Sequence, residues 1–153
     1  MNREAKNGLR SQYRILEKAL LIVECHEGLL TLENMIRFRQ EQRLDRNFTP
    51  ELNILMDLRH VEISGEPVEV ENYVSFYKAN QNISGNRRIA VLTDTPNQVF
   101  YTTLFEQFSK MLSQKTKIFS TLDASFNWLN VDIPKQQIEQ IILQLRKALQ
   151  ETR

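Results

Sequence analysis

The sequence has one cysteine, no long apolar run and almost no net charge, and each of these absences excludes a class of protein. The single thiol, Cys25, cannot form an internal disulfide, which favours a reducing compartment. No apolar run reaches the ~18 residues that a membrane-spanning helix needs. The first ten residues also lack the apolar segment of a secretory signal. We therefore expect a cytoplasmic protein with no membrane span.

The charged side chains nearly cancel, since 20 Lys and Arg residues face 19 Asp and Glu residues. This balance gives no broad attraction to nucleic acid or to an anionic membrane, so we expect no nucleic-acid partner. The motifs HExxH, GxSxG, GxxxxGK[ST] and GxGxxG are absent, and the two histidines lack the spacing of a metal site. We therefore expect no catalytic residues, no metal and no cofactor, as in a protein that is not an enzyme.

What is present is a regular succession of apolar segments in a chain of single-domain length. These segments predict five strands, at residues 13–16, 19–26, 52–58, 87–94 and 116–121. Apolar periodicity and start signals predict helices at 32–46, from 67, from 96, around residue 128 and at 134–150. A hairpin followed by alternating helices and strands predicts an α/β fold, in which the mixed sheet is mainly parallel with one antiparallel strand.

Particular residues set the predicted boundaries of these elements. Gly28 is expected to break the second strand, and Thr31 is expected to cap the first helix. Pro67 and Pro96 suit the first turn of a helix, where an N–H group has no partner to lose. Cys25 alternates in phase with the apolar residues of its strand, which predicts a core thiol rather than a reactive nucleophile.

Three segments of the chain resemble a known family. They are NILMDLRHVE (53–62), RRIAVLTDTPNQVF (87–100) and KIFSTLDASFNWL (117–129). Together they resemble the SpoIIAA-like proteins, small bacterial relatives of the STAS domain whose fold is also likened to CRAL-TRIO lipid-binding domains. The resemblance implies a SpoIIAA-like domain at 12–130. A flexible N-terminus at 1–11 would precede it, and a C-terminal amphipathic helix at 131–153 would pack on it.

The resemblance also implies a function without catalysis. It implies a cytoplasmic interaction or regulatory module of the STAS-like type, which binds a protein partner or itself. The likeness to CRAL-TRIO domains implies an alternative, a carrier or sensor of a small apolar or lipid-like ligand. The predicted helix from Pro96 has a wide apolar arc, which suits either function because it can pack against a partner or line a cavity.

Polar side chains follow the carboxyl ends of the predicted strands, where ligands usually bind in open α/β sheets. They are His26, Asp57, Arg59, His60, Asp94, Thr95, Ser120 and Asp123. One interpretation is a rim that contacts a ligand or a partner. The other is a set of caps and turn formers with a structural role. A catalytic or metal site would also need these groups within bonding distance of one another.

Ser64 and Gly65 follow the third predicted strand. In STAS regulators of the anti-sigma antagonist type, a serine of a Ser-Gly pair at a helix start is phosphorylated, and the added charge alters partner docking. The resemblance therefore implies Ser64 as a possible phosphoacceptor. The interval from Asp57 to Ser64 is shorter than in those regulators, however, and glutamates at 66, 69 and 71 follow. An ordinary turn is the alternative interpretation.

The second half of the first predicted helix is rich in arginine, with Arg37, Arg39, Arg43 and Arg46. We expect this half to stand clear of the core. It would then either contact a phosphate or anionic lipid, or lie in solvent beside neighbouring carboxylates.

Trp128 is the only tryptophan, and it lies one residue before the end of a short helix with two apolar faces. This pattern predicts a core residue wedged between the sheet and another element. A ligand-stacking wall is the alternative.

The final predicted helix has a continuous apolar stripe. The stripe consists of Ile138, Ile141, Ile142, Leu145 and Leu149. A helix of this length is marginal alone in water, so the stripe must pack on something. It packs either on the chain's own sheet or partly on a second copy, and the second possibility predicts a homodimer.

Overall fold

The computed structural model describes residues 8–152, which form one five-stranded sheet and six helices. The strands are β1 (Leu9–Leu16), β2 (Leu21–Leu30), β3 (Asn53–Ile63), β4 (Arg88–Leu92) and β5 (Lys115–Phe119). The helices are α1 (Leu32–Gln42), α2 (Pro67–Ala79), α3 (Gln81–Ser84), α4 (Pro96–Phe108), α5 (Leu122–Leu129) and α6 (Lys135–Glu151). The strands lie in chain order, β1 antiparallel to β2 and the rest parallel. This topology confirms the mixed, mainly parallel sheet with one antiparallel strand.

The hairpin is longer than predicted at both of its open ends. β1 begins at Leu9, which pairs with Gly28, so residues 9–11 belong to the sheet and not to a flexible terminus. Residues 1–7 of that expected terminus lie outside the described residues. Gly28 does not end β2 either. It has φ +96°, and its α-hydrogens face the carbonyl of Gly8, so the glycine lets the backbone pass close to β1 while the strand continues to Leu30.

Helix starts follow the predicted chemistry. Thr31 and Thr95 accept hydrogen bonds from backbone N–H groups of the first turns of α1 and α4, and Pro67 and Pro96 occupy first helical positions. α1 ends at Gln42 and not at 46, because the N–H of residue 44 bonds the carbonyl of residue 41 and the chain turns away.

Each face of the sheet has its own apolar core. Alternate side chains of β2, among them Leu21, Val23 and Cys25, pack with α5 and α6 on one side, which we call the α5/α6 face. The core position of Cys25 is therefore confirmed. The intervening side chains, such as Ile22, and the matching ones of β3 and β4, such as Met56 and Ile89, lie on the opposite side. α1, α2 and α4 cover that side, which we call the α1/α2/α4 face.

α6 packs on its own sheet. All five residues of its apolar stripe are buried in the core of the α5/α6 face. Of the two possibilities for the stripe, packing on the chain's own sheet is therefore confirmed, and the homodimer stays a prediction. Among the described residues, no helix is both long enough and apolar enough to cross a membrane.

Trp128 is only half-buried, which corrects the expectation of a wedged core residue. Its ring packs against Phe119 with a centroid separation of 5.7 Å, at the edge of the core of the α5/α6 face. The guanidinium of Arg88 lies 5.6 Å from the ring centroid on the outer side. The side chain therefore seals the edge of the core between the sheet and solvent.

Candidate functional site

The carboxyl edge of the sheet carries a group of charges on the α5/α6 face. Asp57 is wholly buried and receives hydrogen bonds from Arg59, from Nε to Oδ1 and from Nη2 to Oδ2, both at 2.9 Å. Nη2 of Arg146, on α6, lies 2.9 Å from Oδ2 of the same carboxylate. Arg146 also donates from Nη1 to the carbonyl of His26 at 3.1 Å. These contacts fix α6 to the middle of β2 and β3.

Two guanidinium groups keep Asp57 ionised. Burial opposes ionisation, but hydrogen bonds from Arg59 and the charge of Arg146 outweigh it and lower the pKa of Asp57. His60 is exposed nearby, and partial burial together with the charge of Arg146 lowers its pKa. A carboxylate locked between two arginines suits structural anchoring and not proton transfer.

His26 does not belong to the rim, because β2 continues four residues beyond it. Its ring is buried on the α1/α2/α4 face, where Nδ1 lies 2.7 Å from Oγ of Ser11 and Nε2 lies 3.0 Å from Oε1 of Glu24. The ring of Phe38 packs edge-on against it, with centroids 4.8 Å apart. Both ring nitrogens are therefore engaged within the protein.

The remaining predicted rim residues are spread along the edge. Thr95 caps α4, and Asp94 is exposed beside it. Ser120 is exposed, and Asp123 forms a surface ion pair with Lys135 at 2.8 Å. Within residues 8–152, no three His, Cys, Asp or Glu side chains lie close enough together to hold a metal ion.

The loop between β3 and α2, which carries Ser64, is held firmly by α4. The side chain of Asn97 makes two hydrogen bonds to the backbone of Ile63, accepting from its N–H at 2.8 Å and donating to its carbonyl at 2.9 Å. The hydroxyl of Tyr101 donates to the carbonyl of Gly65 at 2.6 Å. The Ser64 N–H donates to the carbonyl of Leu30 at 3.0 Å, while its side chain stays exposed.

The start of α2 already has a carboxylate of its own. Oε2 of Glu69 accepts the N–H of Glu66 at 2.7 Å as part of a capping box. The same oxygen would lie 2.2 Å from a Cβ placed at Gly65, whose φ is +139°, so only glycine fits there. A phosphate on Ser64 would thus meet negative charge and not a vacant helix end.

Three apolar side chains stand exposed around this loop. Val68 on α2 is 57% exposed, and Val99 and Phe100 on α4 are 44% and 52% exposed. The bonds of Asn97 and Tyr101 bring the starts of the two helices together, so these side chains belong to one surface. We call Val68, Val99 and Phe100, with the intervening loop, the docking surface. Glu62, Glu66 and Asp94 are exposed around it.

Beneath the loop lies an apolar cavity of about 90 Å³ on the α1/α2/α4 face. Its mouth is formed by Ser64, Gly65 and Glu66. Its walls are almost entirely apolar and come from α1, α2, α4 and the sheet, notably Met35, Met56, Leu58, Val70, Tyr73 and Phe105.

A buried ion pair lies beside this cavity, and the sequence analysis missed it. Nη1 of Arg39 donates to Oε2 of Glu24 at 2.5 Å, and both side chains are wholly buried. Gln42 donates to the same oxygen at 2.8 Å. The charge of Arg39 and the bond from His26 outweigh the effect of burial and lower the pKa of Glu24 to about 2.

The expectation that Arg39 stands clear of the core is therefore wrong. The buried residues of α1 are Met35, Phe38, Arg39 and Gln42, which follow the i, i+3, i+4, i+7 spacing of one helix face. Glu24 likewise falls between Ile22 and His26 on one face of a buried strand. Two opposite charges, each in the buried phase of its own element, were the signal that sequence reasoning could have used.

A second buried arginine lies on the same face. Arg87 precedes β4 and is 3% exposed, with Nε donating to the carbonyl of Ser84 at 2.8 Å. Its Nη1 and Nη2 have no hydrogen-bond partner within residues 8–152, and neither do the side-chain amide of Gln114 and the hydroxyl of Thr116. Burial lowers the pKa of Arg87 to about 10. Arg87 thus resembles Arg39 in burial but lacks a carboxylate bound to it in the described part of the chain.

Comparisons with known proteins place the fold. No protein-family model and no curated protein matches the chain. Among solved structures, it is similar to an uncharacterized protein of the DUF3478 family with a SpoIIAA-like fold from Shewanella loihica PV-4. The identity is 17% and the TM-score 0.52, over 80% of this chain and 94% of that one. It is also similar to an anti-sigma factor antagonist from Mycobacterium paratuberculosis, with 13% identity and a TM-score of 0.50, over 81% of this chain and 96% of that one.

These identities are low, so the likeness shows the fold alone. The chain has the SpoIIAA-like, STAS-type fold that three sequence segments implied. These comparisons do not assign to this chain an interaction role, a ligand-binding rim or a modification of Ser64.

Proposed function

We propose that this chain is a non-enzymatic, cytoplasmic regulatory module that binds a protein partner through the docking surface. The observation that carries the proposal is the exposure of Val68, Val99 and Phe100 around a loop whose backbone is tied down by side-chain hydrogen bonds. A rigid, partly apolar surface binds with little loss of conformational entropy. The fold similarity to an anti-sigma factor antagonist supports the same kind of role.

The charges around the docking surface define the partner. Glu62, Glu66 and Asp94 are exposed at its margin, and the capping carboxylate of Glu69 lies beneath the loop. A partner with an apolar centre and a basic margin complements this surface, because its cations would be steered towards the acidic rim. The rim residues Asp57, Arg59 and His60 lie on the other side of the sheet edge and would act in this proposal only by fixing the strands.

Photocrosslinking in cells, followed by binding of the purified partner, tests the proposal. A photoreactive residue is introduced at Phe100 or, as a control, at Leu44, which is 76% exposed at the far end of α1. We expect one protein to crosslink at position 100 and not at 44. Phe100→Asp should then weaken its binding at least about tenfold, since anchoring aromatics carry much of an interface's energy, while Leu44→Asp should not. Equal crosslinking at both positions, or equal affinity of both variants, would contradict the proposal.

Ser64 is the modifiable position in this proposal. Its exposed hydroxyl lies at the centre of the docking surface, so an added charge would act on the partner directly. Ser64→Asp should weaken binding of the purified partner more than Ser64→Ala does, because the carboxylate would be desolvated at the apolar centre of the contact, away from the partner's basic margin. If the two variants bind equally well, charge at this position does not regulate docking.

Self-association is included in the proposal, since a homodimer would also have to use exposed apolar side chains. The stripe of α6 is buried, so we assign self-association to the docking surface, where three exposed apolar side chains lie together. Sedimentation velocity at tens of micromolar should show a dimer that Phe100→Asp dissociates and Leu44→Asp does not. A monomer for the unchanged protein would leave a different protein as the partner.

The cavity favours a second candidate function, a carrier or sensor of a small apolar ligand. Its walls are apolar, and its mouth is the loop that also forms the docking surface. Native mass spectrometry of protein purified from cells should show a retained small-molecule adduct. Protein that is free of adduct, and that binds no apolar compound added later, would exclude this function.

A further inference from the structure

The cavity extends from the docking surface towards the amino ends of the parallel strands. Glu66 lies at its mouth and Tyr77 at its inner end. These two residues are eleven positions apart on α2, which corresponds to about 16 Å along the helix axis. The lining of the cavity therefore follows α2 along the sheet, and we call this cavity the channel.

At the inner end of the channel, a tyrosine hydroxyl group can donate a hydrogen bond to a ligand. The hydroxyls of Tyr73 and Tyr77 lie 2.8 Å apart, and Tyr77 accepts a hydrogen bond from Nε of Arg39 at 2.9 Å. One of the two hydroxyl hydrogens lies between the two hydroxyl oxygens and forms the hydrogen bond that joins them. The other has no acceptor within the described residues, so a hydroxyl donor remains in an otherwise apolar wall.

The same end of the channel carries an excess positive charge. Arg39 is neutralised by Glu24, whereas Arg87 forms no ion pair within residues 8–152. Arg87 is not itself a wall residue. Its guanidinium carbon lies 5.4 Å from the centroid of the Phe48 ring, and its backbone lies two residues before Ile89, which lines the channel about 7 Å further along the strand. A buried cation with two unpaired terminal nitrogens is costly unless an anion compensates it.

We propose that the channel binds a small carboxylic acid, with its carboxylate at the tyrosine hydroxyls near Arg87 and its hydrocarbon part among the apolar walls. This proposal rests on the second candidate function and names its ligand class. The volume of about 90 Å³ is smaller than the ~150 Å³ of an apolar cavity that holds benzene. The ligand is therefore no larger than benzene, which corresponds to a short-chain acid of about four carbons, and the adaptable side chains of Met35 and Met56 would have to move to admit a chain of up to about six carbons.

Isothermal titration calorimetry of the intact protein with three probes tests the proposal. Hexanoate, hexanol and hexylamine share a hydrocarbon chain and differ in the charge of the head group. We expect hexanoate to bind at least about tenfold more tightly than hexanol, which is the typical worth of a hydrogen bond to a charged group. Hexylamine should not bind, because its cation would face Arg87.

Two matched pairs of variants locate the head group. Arg87→Leu should remove the preference for hexanoate over hexanol, while Arg88→Leu, at the exposed neighbouring position, should keep it. Tyr73→Phe removes only a hydroxyl and should lower hexanoate affinity several-fold without changing that of hexanol. If Arg87→Leu does not fold, Tyr73→Phe still decides, with circular dichroism as the check on folding.

These outcomes distinguish a failure of the proposed ligand class from a failure of the carrier function on which it rests. Binding of hexanol as tightly as hexanoate would overturn the proposed head-group site but leave a carrier of apolar ligands. Binding of none of the probes would overturn the proposal, and the native mass spectrum would then decide whether the carrier function also fails. A preference for hexanoate that survives in Arg87→Leu would place the carboxylate elsewhere and would overturn the proposal as well.

Discussion

Replacing Arg39 by methionine tests the buried ion pair most directly. The substitution removes the guanidinium but keeps an unbranched apolar chain of similar length, so Glu24 is left without the cation that compensates its charge. Breaking a buried pair in this way typically costs 3–5 kcal/mol of unfolding free energy. The pKa of Glu24 gives a figure of the same size. Its fall from 4.5 to about 2 corresponds to about 3 kcal/mol in favour of the folded protein at neutral pH.

The sign of the pH dependence follows from the direction of that pKa. Because the folded pKa of Glu24 is lowered, its contribution to stability is complete above pH 4.5 and is lost as the pH falls towards about 2. In Arg39→Met, burial without the guanidinium raises the pKa of Glu24 above its ordinary value. The variant then recovers stability as Glu24 takes up a proton, so its deficit is largest at pH 7 and smaller at pH 5.

Urea unfolding followed by circular dichroism at pH 7 and pH 5 measures both effects. Arg37→Met is the matched control, since Arg37 lies on the same helix but is exposed, and its ion pair in the described part of the chain is a surface pair with Glu33. The control should lose less than about 1 kcal/mol. A loss of similar size in Arg39→Met, or a deficit that does not change between the two pH values, would refute the reasoning. The double variant Glu24→Leu with Arg39→Met should regain stability, because no unpaired charge is left.

Three further changes test the packing. Trp128→Ala should lower the free energy of unfolding by about 2–3 kcal/mol, measured by urea unfolding followed by circular dichroism. This is less than the 3–5 kcal/mol typical of a fully buried ring, because the side chain is half-buried. A loss below about 1 kcal/mol would mean that the ring does not pack on Phe119. Leu145→Asp should lower the free energy of unfolding by at least about 4 kcal/mol and give unfolded protein in circular dichroism, since Leu145 is buried within its own chain. A folded monomer would instead place the stripe of α6 at an interface. Asn97→Ala should cost about 1–3 kcal/mol and speed amide hydrogen exchange at residues 63–65, because two bonds to the β3–α2 loop are lost; unchanged exchange would show that α4 does not hold the loop.

The sequence predicted the order and type of the elements because each has a local signal. Threonine and proline at helix starts, and continuous apolar runs in the buried strands, act within a few residues and need no tertiary information. The predicted ends of the hairpin were wrong because they depend on tertiary contacts and not on a local signal. Whether Gly28 ends β2 depends on whether partner strands are present: β1 pairs with β2 as far as Gly28, and β3 pairs with residues 28–30.

The candidate site was predicted less well, because it depends on which face a polar residue takes. His26 was placed on the rim because Gly28 was expected to end the strand just after it, whereas its ring points into a core next to Glu24. Arg39 was assigned to solvent by residue type, although its helical spacing places it among buried positions. Charged residues are uncommon in a protein core, so the charge of Arg39 was given more weight than its position in the helical repeat. The Ser64 loop was located correctly, but its rigidity comes from Asn97 and Tyr101, which no local pattern connects to it.

The position of α6 has a consequence for synthesis of the chain. It covers β2, yet Cys25 and the carbonyl of Ile142 that its thiol approaches are separated by 117 residues. At a translation rate of ~5–20 residues per second, about 6–23 seconds pass between the appearance of that strand and of the helix that covers it. During this interval the nascent chain presents a bare apolar sheet face to solvent. We therefore expect ribosome-associated chaperones to bind it, and to be released only when α6 has left the exit tunnel.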